Sequence, residues 1–302
     1  MLKIKRILCP VDFSEFSVKA YDYAYSLARH YEAKLFLEYA ISPVGATYPH
    51  YMLPDAAVAT IYWDLTADAE KRLQEMVKKR ALNGYQPEFM VHKGVVPETI
   101  LTFAEEQSVD LIVMGTHGRR GWDRLIMGSV TESVVRKARC PVLAVRKPPH
   151  EFVDPKPPHE IVHLRKILFC TDFSENSSVA LEYALSLAQE YQSELTVLHV
   201  LEEFPATDLP AKTKEVGHKL LEPIPPDALD WCAVKPAVRV GKPYQEIIQL
   251  ALEDQTDLIV LGVRGRSAVD LAVFGSTTHR VVQLGPCPVL AVHMEAGQEL
   301  TD

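Results

Sequence analysis

Along this chain, short continuous apolar runs alternate with longer stretches in which apolar residues recur every three or four positions. The runs at 7–10, 35–41, 111–114 and 142–145 have the length and composition of strands covered on both faces. The stretches at 14–31, 65–81, 97–106 and 130–138 keep apolar residues on one side and charges on the other, which predicts amphipathic helices. The order β-α-β-α-β-α-β-α-β predicts a mostly parallel sheet with helices on both faces, because each crossover is right-handed and must lie over a face.

The pattern occurs twice. RILCPVDFSEFS from Arg6 returns as KILFCTDFSENS from Lys166, which sets Asp12 and Asp172 160 residues apart. The same offset aligns Ala20, Tyr23, Ala24, Ser26, Leu27, Ala28 and Tyr31 with Ala180, Tyr183, Ala184, Ser186, Leu187, Ala188 and Tyr191. Farther on, VDLIVMG ending at Gly115 meets TDLIVLG ending at Gly262, and CPVLAV starts at both Cys140 and Cys287. The offset is now 147, so the second copy is 13 residues shorter in between. Self-similarity on this scale marks a duplicated folding unit.

Between the copies lies PPHEFVDPKPPHE, whose prolines can continue neither a helix nor a central strand. The expected division is a first domain at 1–147, a proline-rich linker at 148–163 and a second domain at 164–302. Each domain is expected to be a doubly wound, Rossmann-like α/β unit with a five-stranded parallel sheet. In the second copy, prolines including Pro223, Pro225 and Pro226 should shorten or break the second helix near Leu221.

Composition and charge narrow the chemistry. The 302 residues are 47% hydrophobic and 24% charged, the balance of an ordinary globular protein. A net charge of -8 without any block of Lys and Arg argues against a nucleic-acid groove. The apolar run near the start is soon broken by Pro10 and Asp12, too short for a signal peptide or a membrane span, so a cytoplasmic location without membrane insertion is expected. The five cysteines are odd in number and show no Cys-x-x-Cys spacing, which predicts buried thiols rather than disulfides or a zinc site.

In an open parallel sheet, ligands bind outside the carboxyl ends of the strands, where strand order reverses. Three repeated features should meet there: Asp12 and Asp172 after the first strand, the loops GTHGRRG and GVRGRSA after the fourth, and Gly128-Ser129 and Gly275-Ser276 before the last helix. The spacing is Gly, two residues, Gly, nine residues, Gly, Ser in both copies. Glycines allow close backbone approach to a ligand, and a helix N-terminus offers open N–H groups to anionic oxygens. Ser129, Thr131, Ser276, Thr277 and Thr278 add hydroxyl donors, although Ser and Thr also serve as plain helix caps. Asp12 has two readings: a cap for the first helix, or an acceptor for a ribose hydroxyl or adenine-side donor. His117 and Arg264 share one position, which opposes a metal-ligand role and leaves a phosphate donor or a solvated loop residue. Arg119, Arg120 and Arg266 raise the local positive potential.

PVDFSE, GTHG, GSVTESVVRKA and CPVLAV together resemble the universal stress protein family, over nearly all of both halves and with the pattern of its ATP-binding subclass. The resemblance implies an adenine nucleotide alpha hydrolase-like fold and ATP as the cofactor, with Mg²⁺ an optional companion on its phosphates. Carried over by position, the site comprises Pro10, Val11, Asp12, Ala40, Met114, Gly115, His117, Gly118, Gly128, Ser129, Val130 and Thr131. Its second-copy counterpart comprises Thr171, Asp172, Val200, Leu261, Gly262, Arg264, Gly265, Gly275, Ser276, Thr277 and Thr278. Ala40 and Val200 would meet adenine through their backbones. The family's habit of pairing through the last strand implies an intramolecular pseudo-dimer, and leaves a homodimer and a protein partner open.

Cys170 stands where the first copy has Pro10, a departure that sets the second site apart. Neither half carries Gly-x-x-x-x-Gly-Lys-Ser/Thr, so a motor-like NTPase cycle is not expected, and no nucleophile and base stand in catalytic register. The leading expectation is a nucleotide-dependent stress-response regulator; a nucleotide-independent scaffold or chaperone-like protein and a slow ATPase are the alternatives. If the glycines cradle phosphate, Gly118→Val and Gly265→Val weaken ATP binding in equilibrium titrations. Affinity equal to the intact chain would assign them to turns alone.

Overall fold

The computed structural model describes residues 2–43, 54–80, 85–117, 127–146, 151–153, 162–202, 209–263 and 275–293. The first half runs β1 (Arg6–Pro10), α1 (Glu15–His30), β2 (Lys34–Ile41), α2 (Asp55–Arg80), β3 (Glu88–Lys93), α3 (Val96–Glu106), β4 (Leu111–Gly115), α4 (Ser129–Lys137) and β5 (Val142–Val145). The second runs β6 (Lys166–Cys170), α5 (Glu175–Tyr191), β7 (Glu194–Leu201), α6 (Leu209–Leu221), α7 (Ala228–Trp231), β8 (Val234–Val240), α8 (Pro243–Glu253), β9 (Leu258–Gly262), α9 (Ser276–Leu284) and β10 (Val289–Val292).

All ten strands form one sheet in the order β3-β2-β1-β4-β5-β10-β9-β6-β7-β8. Each half is a parallel five-stranded sheet whose order reverses between its first and fourth strands. The halves join through β5 and β10, which pair antiparallel. Leu143 faces Leu290, its own counterpart in the repeat, while Val289 faces Ala144 and Ala291 faces Val142. A pseudo-two-fold axis therefore passes through the Leu143–Leu290 pair. Two apolar clusters cover the sheet, one gathering α1, α2, α5 and α6, the other α3, α4, α8 and α9.

The central strands are buried on both faces, which explains their unbroken apolar runs. β3 and β8 are edge strands whose residues are exposed or half-buried, and the edge position tolerates Pro236 within β8. Helix α2 starts ten residues before the expected 65–81, because its first turns are helical without burying a continuous face: Trp63 is 77% exposed. Burial sets in at Ala69, Leu73 and Val77, four residues apart on one stripe. In the second half, α6 ends at Leu221 and the prolines that follow admit only the short α7 before β8.

Side chains tie the halves together beyond the sheet. Arg146 Nη1 donates to Gln283 O at 2.6 Å, in the last turn of α9, where a cation complements the helix dipole. His30 Nε2 lies 3.0 Å from Glu190 Oε1, and these are equivalent positions of the repeat. Tyr31 and Tyr191, also equivalent, meet edge to face at 6.5 Å. Within the proline-rich segment, Phe152 and Val153 are buried, and the Phe152 ring meets Tyr23 edge-on at 4.9 Å. That part of the segment contributes to the core as well as spanning the halves. Cys9, Cys170, Cys232 and Cys287 are buried thiols.

Two glycines owe their identity to packing. A Cβ on Gly115 would stand 2.8 Å from the backbone carbon of Phe16, and one on Gly262 2.7 Å from Asn176 O, both in the first turn of the first helix of their half. The ends of β4 and β9 thus approach helix backbone more closely than any side chain allows.

Leu290→Ala removes half of the residue pair on the pseudo-two-fold axis and should cost about 2–5 kcal/mol in urea denaturation. Leu143→Ala should do the same from the other side. Gly115→Ala or Gly262→Ala should cost about 1–3 kcal/mol in the same measurement, through overpacking against main chain that has no room to yield.

Candidate functional site

The β1–α1 turn is built alike in both halves. Asp12 Oδ1 accepts hydrogen bonds from Ser14 N at 3.0 Å and Ser14 Oγ at 2.6 Å, and Asp172 Oδ1 accepts from Ser174 N at 3.0 Å. Ser14 and Ser174 in turn cap their helices by accepting from Ser17 N and Ser177 N. The serines are thus the helix caps, and each aspartate braces the serine that does the capping. The turn forces Phe13 and Phe173 into left-handed backbone conformations, at φ 65° and 61°. A bulky residue pays for this with strain of about 1–3 kcal/mol. Tyr39 stacks on Phe13 at 4.9 Å with the Arg72 guanidinium 4.0 Å from the ring, and His199 stacks on Phe173 at 4.5 Å with the Lys219 ammonium at 4.3 Å. A cation from the second helix of each half thus holds the strained aromatic in place.

The last helices start differently. The N-caps of α4 and α9 are Gly128 and Gly275, and neither helix has a side-chain cap. Their first-turn N–H groups face the ends of the strands without the hydroxyl that serves α1 and α5. Ser129 and Ser276 open the helices as exposed residues, with Val130 and Thr277 next. Thr131 is buried and its Oγ1 donates to Gly115 O at 2.8 Å; Thr278 Oγ1 reaches Gly262 O at 3.4 Å. These two hydroxyls fasten the helix to the strand it follows, so the donors left to face a ligand come from the main chain, the serines and Thr277.

In the second half, a cavity of about 590 Å³ lies outside the carboxyl ends of β6, β7 and β9, at the reversal of strand order. Thr171, Asp172, Val200, Leu261, Gly262, Gly275, Ser276, Thr277 and Thr278 all line it. Arg264 and Gly265 lie outside the described residues. The volume falls within the range that encloses small organic ligands and cofactors. Sequence reasoning missed several wall residues, including His199, Asn176, Pro243 and Ile247. His199 is fixed by its Nδ1, 2.9 Å from Thr171 O. Gly241, which takes φ 148°, precedes Pro243 by two residues, and its counterpart Gly94, at φ 157°, precedes Pro97 by three; Ile247 and Ile100 then fall at equivalent positions. That second repeated glycine, with a proline shortly after it in each half, was the signal available in the sequence.

The first half brings the matching residues to the matching place. Pro10 ends β1, Val11 N donates to Glu38 O at 2.8 Å, Ala40 lies near the end of β2, and Met114 and Gly115 end β4. Gly128 N donates to Thr116 O at 2.9 Å, closing the loop onto the strand. His117 is not a solvated loop residue: it is 4% exposed, packs on the Phe16 ring at 5.0 Å, and sets Nδ1 2.9 Å from Thr116 Oγ1. Burial and the nearby Arg146 charge lower its pKa, so the ring is neutral near pH 7, and its buried Nε2 has no hydrogen-bond partner. Gly118 lies outside the described residues.

One buried group has no counterpart in the other half. Glu38, 1% exposed, sets Oε1 2.9 Å from His92 Nδ1 on β3, while its Oε2 is buried without a partner. Burial pushes its pKa up, against the His92 hydrogen bond and charge. The corresponding second-half residues are Leu198 and Arg239. Among the described residues no group of three or more His, Cys, Asp or Glu is placed to hold a metal ion, and no helix is long and apolar enough to cross a membrane.

Comparison with known proteins agrees with this architecture. The universal stress protein family profile matches residues 3–146 and again 163–293. A universal stress protein of Methanocaldococcus jannaschii is 36% identical over 148 residues, 49% of this chain and 85% of its own. One from Mycobacterium tuberculosis is 28% identical over 275 residues, 85% of each chain. Among solved structures, a universal stress protein from Archaeoglobus fulgidus superposes with a TM-score of 0.70 at 23% identity, covering 96% of this chain and 97% of that one. With both halves matched by one family profile, the chain belongs to the universal stress protein family.

Proposed function

We propose that this chain is a nucleotide-dependent stress-response regulator of the cytoplasm that binds ATP. The reading retains the domain division at 1–147 and 164–302 and the site residues named from the sequence. The observation that carries it is the cavity of about 590 Å³ whose floor is a helix start without a side-chain cap. A polyphosphate satisfies what that helix lacks: its oxygens accept from main-chain N–H groups at Gly275, Ser276 and Thr277, aided by the dipole. Val200 and Leu261 supply apolar wall, and Asp172 lines the same cavity as an acceptor within reach of a ribose hydroxyl. In the first half, the neutral His117 Nε2 is a buried group that a phosphate oxygen would satisfy. Mg²⁺ in this reading travels on the phosphates and keeps its waters, as it does wherever the protein offers few carboxylates.

Binding to the folded state alone stabilises it by RT ln(1 + [L]/Kd), about 2.7 kcal/mol at a hundredfold excess over Kd. Such a shift in the relative stability of the turn segments is the means by which an occupied site alters the surface shown to a partner. The test combines mass spectrometry of gently purified protein for retained nucleotide with calorimetric titration of ATP. Binding is expected, with a raised melting temperature. Thr277→Trp, whose indole fills the second cavity, should remove binding in that half. Titrations showing no ATP uptake by the intact chain, or uptake that Thr277→Trp leaves unchanged in stoichiometry and affinity, would count against the second-half cavity.

A further inference from the structure

The two halves differ at the wall of the cleft farthest from the helix start. Strand residues alternate faces, so Phe36, Glu38 and Ala40 of β2 share one face, as do Thr196, Leu198 and Val200 of β7. Leu198 and Val200 line the second-half cavity, although Leu198 is only 1% exposed. The repeat therefore sets Glu38 at the wall of the equivalent space in the first half. There it brings a carboxylate oxygen, Oε2, that is buried and bonded to nothing. Such a group is costly to bury and is retained where a donor meets it.

The sheet order locates this acceptor along a bound nucleotide. β2 stands two strands away from β4, behind β1, so Glu38 lies about 10 Å across the sheet from the strand that leads to α4. A phosphate at the α4 start leaves the base end of the ligand over β2. The register of β2 with β3 pairs Ala40 with His92, and His92 holds Oε1 of Glu38. With His92 Nδ1–H donating to Oε1, the other oxygen of the carboxylate, Oε2, is an acceptor.

We propose that Glu38 is a base-reading residue: its Oε2 accepts the exocyclic N6–H of adenine in the first half, where the second half has the apolar Leu198 at that position. This rests on the nucleotide reading above and makes it specific. Adenine presents an amino donor at the six position, whereas hypoxanthine presents an acceptor oxygen there, as guanine does. A carboxylate oxygen welcomes the first and repels the second; a leucine distinguishes them weakly. The first half is thus the more adenine-selective site and the second the more tolerant one.

The test uses the full chain carrying Thr277→Trp, so that the first half is the reporter, titrated with ATP and with inosine triphosphate. ATP should be favoured by roughly ten- to a hundredfold, the worth of a hydrogen bond to a charged group. Glu38→Leu, which copies the second half, should bring the two ligands within about threefold of each other. Glu38→Gln should narrow or invert the preference, because its amide can donate to the oxygen, and it guards against a folding failure of the leucine variant. Selectivity that survives Glu38→Leu would overturn the assignment, as would ATP binding by the intact chain that vanishes entirely with Thr277→Trp. Failure of the intact chain to bind ATP would instead remove the nucleotide reading, and this assignment with it.

Discussion

The organisation of the molecule depends on one contact, the antiparallel pairing of β5 with β10. Each half is a parallel sheet, and a parallel sheet must be covered on both faces and finished at its edges. Pairing last strand with last strand removes one exposed edge from each half and makes a single ten-stranded sheet. Because that one junction is antiparallel, the carboxyl ends of the strands point one way in the first half and the opposite way in the second. The two clefts consequently open on opposite edges of the sheet, and neither ligand would approach the other. Arg146, reaching from the end of β5 to the last turn of α9, reinforces the same junction with charge.

Much of this arrangement was legible before any coordinates, for a physical reason. Central strands buried on both faces have no choice but continuous apolar sequence, and the runs at β1, β2, β4 and β5 were bounded to within a residue or so. Helix α1 likewise declared its limits, since Ser14 and Tyr31 are its caps. The illegible elements are those with weak burial. β3 is an exposed edge strand without the apolar run that identifies its neighbours, and the first turns of α2 form a helix that lacks a continuous buried stripe. The second-half cleft gathered every described residue that the repeat and the family resemblance had named for it, because backbone turns fix their positions. His199, Asn176 and Ile247 escaped notice because nothing about their residue types requires a ligand nearby.

The duplicated glycines divide into two kinds once their surroundings are known. Gly115 and Gly262 are required by the closeness of α1 and α5 to the strand ends, independent of any ligand. Gly128 and Gly275 instead start helices that no side chain caps. Thr131 and Thr278, which from sequence read as candidate ligand donors, fasten those same helices to the strands. Among the described residues, the cleft thus leaves open the main-chain amides at these helix starts and, in the first half, His117 Nε2 and Glu38 Oε2. Its opposite rim keeps a strained aromatic, Phe13 or Phe173, under a cation contributed by the second helix of that half.

The pair formed by His30 and Glu190 has an implication for the history and assembly of the chain. These residues descend from one ancestral position, and they face each other where the halves meet. Two copies of the first half joined in the same way would set imidazole against imidazole, and two of the second would set carboxylate against carboxylate. Divergence after duplication has turned a self-facing position into a complementary one. Each half consequently matches its covalently tethered sibling better than it matches a copy of itself, which discourages exchange of halves between separate chains.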